Sequence, residues 1–204
     1  MSVKWAGAKP GHQALDVCCG SGDLAFLLAR AVGPTGAVTG LDFAAEMLAD
    51  ASVRQRGAQL PGVGRYNTPM KWLQGDAMDM PFEANTFDSA TMGYGLRNVA
   101  DIPKALRELQ RVLKPGASVA ILDFNNTDNP VIDKLQSAFL EYLVVPAARQ
   151  YGLQEEYEYL RPSIKAFPTG SGQEVAARAA GFAKVKHYEV GFGLMGILVA
   201  TKAK

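Results

Sequence analysis

From Ala14 to Phe124 the chain alternates short apolar runs with stretches of helical period, and this rhythm constrains the fold more than any other feature. Strand-length runs separated by helix-length segments predict parallel strands joined by crossover helices. The runs place strands at 14–19, 37–42, 70–74, 87–92 and 118–124, and the periodic stretches place helices at 23–31, 44–56 and 101–112, with a weaker one at 130–147. Gly33 and Pro34 stop the first helix, and Lys114, Pro115 and Gly116 turn the chain after the third. Two strand-like runs flank Gly191 to Gly193 and read as a closing hairpin. The fold class expected is α/β: a Rossmann-like, seven-stranded, mostly parallel sheet with an antiparallel C-terminal strand and helices on both faces.

At 204 residues the chain suits one domain with a full core, so 1–204 is read as a single domain. The stretch 57–69, rich in Gly and Pro, reads as a surface loop. From 125 to 168 the strand rhythm lapses and aromatics gather (Phe139, Tyr142, Tyr151, Tyr157, Tyr159 and Phe167), which suggests a cap inserted over a substrate. A formal net charge of +1 offers no field to steer a polyanion, so nucleic acid is not an expected partner. The only cysteines, Cys18 and Cys19, are neighbours in an apolar run and fit small buried side chains rather than a disulfide or a metal site; no metal is expected. The longest apolar candidate, AFLEYLVVPAA, carries Glu141 and Pro146 and falls short of the roughly 20 residues a membrane helix needs, so no transmembrane segment is expected. The opening MSVKWAGAKPG has neither a signal core nor the Arg-rich character of a transit peptide.

Ligands of an open parallel sheet sit beyond the carboxyl ends of its strands. Acids occupy that edge here. Asp16 precedes the glycine loop Gly20, Ser21, Gly22; Asp42 ends the second strand; Asp76, followed by Ala77, ends the third. Asp42 lies about 20 residues beyond the loop, the spacing at which a carboxylate takes a ribose hydroxyl pair in dinucleotide sites. Gly20, Gly22 and Ala25 also fit the loose dinucleotide pattern, which keeps a nicotinamide oxidoreductase open. Asp16 separates the two readings, because a carboxylate beside the loop repels pyrophosphate and favours a ligand ammonium group. S-adenosylmethionine carries that group and no phosphate. Its carboxylate suits the helix N-terminus after Gly22, its ribose Asp42, and its adenine edge Asp76 with the Ala77 backbone. Taken singly, each acid fits a helix cap or a turn equally well.

The stretches LDVCCGSGDLA, LDFAAEML, QGDAMDMPF, NTFDSATMGYGLRNV, ALRELQRVLKPG and GFGLMGILVATK together resemble the ubiquinone/menaquinone biosynthesis C-methyltransferase family, over nearly the whole chain. CCGSGDLAFLL, MGYGLRNV and ILDFN are similar to its cyanobacterial and plastid branch. The resemblance implies a class I methyltransferase fold and methyl transfer from S-adenosylmethionine to a ring carbon of a prenylated quinol, demethylphylloquinol in that branch. It adds Phe43, Met47, Met92 and Gly93 to the cofactor residues and Tyr94 to the substrate residues. It also implies a substrate met at a membrane surface, and a chloroplast location in a plant or alga or a cytoplasmic one in a cyanobacterium. Relatives carry a longer segment before the first strand, so a chain opening at MSVKWAGAKPG is expected to bind cofactor less tightly and to turn over more slowly.

Ring methylation needs an electron-rich quinol, and ionising the neighbouring hydroxyl charges the ring carbon. Arg97 stays protonated, so its expected role is to stabilise the developing phenolate and to contact substrate, while Asn98 orients the hydroxyl or a water. An Arg and an Asn after a strand also fit a structural ion pair and a helix cap, and a catalytically silent cofactor-binding module stays open. His12 and His187 fit structural or surface roles, which leaves the proton acceptor unassigned.

Overall fold

A computed structural model describes residues 1–57, 67–127, 129–139 and 160–204. Strands β1 (Gln13–Val17), β2 (Ala37–Asp42), β3 (Met70–Gln74), β4 (Phe87–Gly93), β5 (Leu113–Phe124), β6 (Phe182–Val190) and β7 (Met195–Lys202) form one sheet in the order β3-β2-β1-β4-β5-β7-β6. The first five strands run parallel, and β7 lies antiparallel between β5 and β6. Helices α1 (Ser2–Trp5), α2 (Asp23–Val32), α3 (Ala45–Gly57), α4 (Ile102–Val112), α5 (Pro130–Phe139), α6 (Leu160–Ala166) and α7 (Gly170–Ala179) complete the described chain.

Alternation along each strand assigns the two faces. Leu15 and Val17 of β1, with Val119 and Ile121 of β5, pack against Leu106 and Leu109 of α4 and Ala177 of α7. Ala14 faces the other way, against Ala25, Leu28 and Ala29 of α2, and Ala120 faces that way too, beside Ala6. Local signals set the helix ends. Asp101 caps α4 by accepting the Lys104 N–H at 2.8 Å, Thr169 caps α7 by accepting from Gly172 N–H, and Gly33 ends α2 at φ 66°.

Two described boundaries differ from the sequence expectations by two residues or more. β1 stops at Val17, because Cys18 turns at φ 52°, although the Cys19 N–H still bonds to the Leu41 carbonyl of β2. β5 starts at Leu113, whose buried side chain pairs with Phe87; the register then jumps to Ser89 beside Ser118, so the expected turn at Lys114 to Gly116 is a bulge inside the strand. Helices α1, α6 and α7 were not anticipated; α7 opens on Gly-Ser-Gly, which obscures its period. The far end of the helix expected at 130–147, most of the loop at 57–69 and the middle of the cap expected at 125–168, with Tyr142, Tyr151, Tyr157, Tyr159 and the Phe139 side chain, lie outside the described residues. Phe167 is buried in the core beside α4.

Gly40 of β2 sits opposite Trp72 of β3, and the indole packs close against it. A Cβ at Gly40 would come within 2.6 Å of the Trp72 ring and 2.9 Å of Cys19 Sγ. Gly40→Ala is therefore expected to destabilise the protein by about 1–3 kcal/mol through overpacking, read as a lower urea midpoint at constant slope. An unchanged midpoint would show that Trp72 moves aside freely.

Candidate active site

The sheet changes direction between β1 and β4, since the chain winds outward through β2 and β3 and then returns across β1. Loops leaving those two strands part there and open a crevice. On the β1 side the turn runs through Cys18, Gly20 (φ 51°) and Gly22 (φ 94°), and α2 begins immediately after. Gly22 is needed for space as well as for conformation, because a Cβ there would meet Trp72 at 2.7 Å and Phe26 at 3.0 Å. Arg54 of α3 clamps the loop from outside: Nη1 donates to the Ser21 carbonyl at 2.8 Å and to its Oγ at 2.7 Å, and Nη2 pairs with Asp23 at 2.6 Å. Its guanidinium also lies 5.3 Å from the Phe26 ring centre. Sequence reasoning missed Arg54, and no local signal marks it, because its role depends on how α3 docks.

The strand-end acids differ in their surroundings. Asp16 alternates with Leu15 and Val17, so it points with Ala14 under α2, where it is fully buried. Thr91, its neighbour across β4, donates to Oδ1 at 2.7 Å, and Oδ2 has no hydrogen-bond partner. Burial pushes the Asp16 pKa up to about 7, and the Thr91 hydroxyl and the Ala25 N–H oppose that rise without cancelling it. Asp42 accepts the Gly20 N–H at 2.7 Å through one oxygen and the Ala44 N–H at 2.9 Å through the other, which ties the glycine loop to the end of β2. Asp76 accepts the Met78 N–H at 2.8 Å. Burial likewise pushes the Cys18 thiol up to about 12.

Two connected cavities occupy the crevice. The smaller, of about 260 Å³, is lined by Asp16, Gly20, Ser21 and Met47. The larger, of about 500 Å³, is lined by Asp42, Phe43, Asp76, Ala77 and Asn98. Cys18, Gly93 and Tyr94 belong to both walls. Gly22 and Met92 line neither: Gly22 supports the loop from behind, and Met92 is wholly buried in the core beside α4.

Arg97 lies apart from these walls. It sits in a 3-10 turn, Leu96–Asn98, whose successive side chains diverge by about 120°. Asn98 consequently reaches the larger cavity, while Arg97 turns toward a third space of about 490 Å³, lined with Val99, Ile102, Pro103, Phe167 and Ala176. That space borders the larger cavity at Val99 and Ala100. Asp123 at the end of β5 accepts the Arg97 backbone N–H at 3.1 Å and Nε at 3.2 Å. Nη1 donates to Asn98 Oδ1 and to Ser163 Oγ of α6. The Arg97 and Asp123 side chains are 6% and 3% exposed, so this is a buried ion pair, and burial raises the Asp123 pKa against the pull of Arg97. Tyr94 (φ 55°) holds the other end of the turn, with its carbonyl accepting from Asn98 and its hydroxyl 3.1 Å from Met195 Sδ. Asp123 was overlooked although the strand-end rule that found the other acids applies to ILDFN; Ser163 carried no signal.

This sheet order is that of the class I Rossmann-like fold, and the family that the chain matches makes it an S-adenosylmethionine-dependent methyltransferase. The profile of the ubiE/COQ5 methyltransferase family matches residues 1–202, and the chain belongs to that family. It is 55% identical over 202 residues to the 2-phytyl-1,4-naphtoquinone methyltransferase of Synechocystis sp., covering 99% of this chain and 82% of that one. It is 50% identical to the chloroplastic 2-phytyl-1,4-beta-naphthoquinone methyltransferase of Arabidopsis thaliana, over 99% of this chain and 76% of that one. A SAM dependent methyltransferase from Aquifex aeolicus shares the fold at a TM-score of 0.67 and 23% identity, over 98% of this chain and 86% of that one.

Asp123→Ala would leave the Arg97 guanidinium buried and unpaired, and is expected to cost about 3–5 kcal/mol of stability in urea unfolding. A loss under about 1 kcal/mol would show the pair to be screened by water.

Proposed function

We propose that this methyltransferase acts on demethylphylloquinol, moving a methyl group from S-adenosylmethionine to a ring carbon of the reduced, prenylated naphthoquinol. The observation that carries the substrate is the 55% identity, over nearly the whole chain, with a relative named for 2-phytyl-1,4-naphtoquinone. For the cofactor it is Asp16, a residue of the smaller cavity's wall whose buried Oδ2 lacks a hydrogen-bond partner. An ammonium group would supply that partner.

When bound, S-adenosylmethionine supplies an electrophilic methyl group. Asp16, with Gly20 and Ser21 of the loop, would hold its amino-acid end in the smaller cavity, and Gly22 would keep the loop in shape from behind. Asp42 and Phe43 would take the ribose side, Asp76 and Ala77 the adenine, and Met47, Gly93 and the core residue Met92 would shape the walls. Tyr94 and Asn98 stand where the two cavities meet the substrate side, and Asn98 would orient the quinol hydroxyl. Arg97 cannot act as a base; within its largely apolar cavity the guanidinium favours a phenolate over a phenol, with Asp123 fixing its plane. The prenyl tail places the encounter at a membrane surface, in the chloroplast of a plant or alga or on the cytoplasmic side in a cyanobacterium. No helix among the described residues is long and apolar enough to cross a membrane.

Turnover on chemically reduced demethylphylloquinol and on a demethylubiquinol analogue tests the reading. Methylation of the naphthoquinol by a wide margin is expected, and transfer to neither quinol would remove the proposal. Asp16 gives a separate handle. Its folded pKa stands above the ordinary 3.8, at about 7, so the ligand-free protein holds that proton near neutrality and an ammonium ligand must displace it. Affinity for S-adenosylhomocysteine is expected to rise with pH between about pH 6 and about pH 8, with proton release detectable by calorimetry in different buffers. Asp16→Asn should bind weakly and lose the dependence. A flat profile in the parent protein would place the ammonium elsewhere.

A further inference from the structure

The turn joining β6 to β7 holds a strained backbone and displays a phenylalanine on it. Gly191, Phe192 and Gly193 all adopt positive φ (58°, 58° and 86°), and Phe192 is 98% exposed. A bulky side chain in the left-handed region is strained, where Gly or Asn would sit at ease. Neither packing nor turn formation accounts for it. Such an outlier points to function rather than to folding.

Its surroundings are held in place. The Gly193 N–H bonds to the Val190 carbonyl and the Leu194 N–H to that of Gly191. Gln136 of α5, itself buried, donates to the carbonyls of Asn125 (3.0 Å) and Leu194 (2.9 Å), which locks α5 beside the hairpin. The outer face of α5 bears Val131 and Leu135, 64% and 62% exposed, with exposed Lys134 between them. Antiparallel pairing of Phe124 with Met195 puts the turn at the carboxyl edge of β5, the edge that carries the cavities. Met195 also touches Tyr94, a residue of both cavity walls. Of the described acids beside the turn and α5, Asp133 is engaged by Lys165 at 2.6 Å and Glu189 by Asn125. The ridge therefore presents apolar side chains and the Lys134 cation.

We propose that Phe192, Val131 and Leu135, with Lys134, dock the protein on the surface of a lipid bilayer containing anionic headgroups. The inference rests on the prenylated-quinol reading. The apolar side chains enter the headgroup boundary, and Lys134 keeps its ammonium among the anionic groups while its stem lies along the apolar layer. The cavities then open at the interface, and the prenyl tail need not leave the lipid for the ring to be methylated.

The test compares the parent protein with a Phe192→Asn, Leu135→Gln double variant, Asn being chosen because it tolerates the left-handed turn. Co-sedimentation with phosphatidylcholine vesicles, with and without phosphatidylglycerol, should show binding by the parent, strengthened by phosphatidylglycerol, and at least about tenfold weaker binding by the variant. Turnover of demethylphylloquinol carried in those vesicles should fall with it, and turnover of tail-less 1,4-naphthalenediol should not. Equal vesicle binding by both proteins would overturn the proposal. So would a dimer of the parent, seen by sedimentation and lost in the variant, since the ridge would then be a contact between copies. Vesicle binding that depends on Phe192 without methylation of either quinol would keep the docking surface and remove the quinol reading.

Discussion

Parallel strands must all be left at one edge, and β1 and β4 are left in opposite directions; every other feature of the site depends on that parting. It opens a crevice in the middle of the sheet without a dedicated domain to form it. Residues as distant in sequence as Asp16, Asp42, Asp76 and Asn98 converge there because each stands at or near the carboxyl end of a strand, or in the turn that follows one. The sheet needs no adjustment to bring them together. The loop between β1 and α2 does need support, since Cys18 holds a left-handed conformation and the two glycines leave the backbone free, and Asp42 and Arg54 supply it from two sides.

Two carboxylates are buried at this edge in opposite electrostatic conditions. Asp123 has Arg97 as a counter-ion and two backbone N–H donors, so its charge is satisfied inside the protein. Asp16 has a hydroxyl on one oxygen and no hydrogen-bond partner on the other. Burial raises both, but only Asp16 is left short of a cation, and it is the one on a cavity wall. Paired burial builds a rigid turn around Arg97. Unpaired burial leaves Asp16 holding its proton near neutrality, and in the proposed reading an ammonium ligand displaces that proton.

The same edge turns an unusual surface outward. The β6–β7 turn lies where antiparallel pairing with β5 must put it, and α5 is bound to it through Gln136 rather than through a large apolar contact. Apolar side chains on both elements are thereby left for an external partner.

The βα rhythm determined the sheet, because period-two burial and helix-period segments are local properties and the right-handed crossover leaves few ways to join them. Gly20 and Gly22, and the acids at 16, 42 and 76, were legible for the same reason: strand ends can be read from apolar runs, and ligands gather beyond them. Arg97 and Asn98 could be found as a pair but not separated. Only the 3-10 turn, set by the Arg97 N–H bonding to Asp123, sends them into different cavities. The clamp of Arg54 on Ser21 depends on the docking of α3, the contact of Ser163 with Arg97 on the placement of α6, and the exposure of Phe192 on a hairpin turn that reads in sequence like any other Gly-flanked residue. These pairings join residues far apart in the chain, and their geometry is fixed by how rigid elements pack rather than by any local preference. That is why the sequence by itself determined the elements and the chemistry of the strand ends, and the tertiary structure alone decided which charges meet.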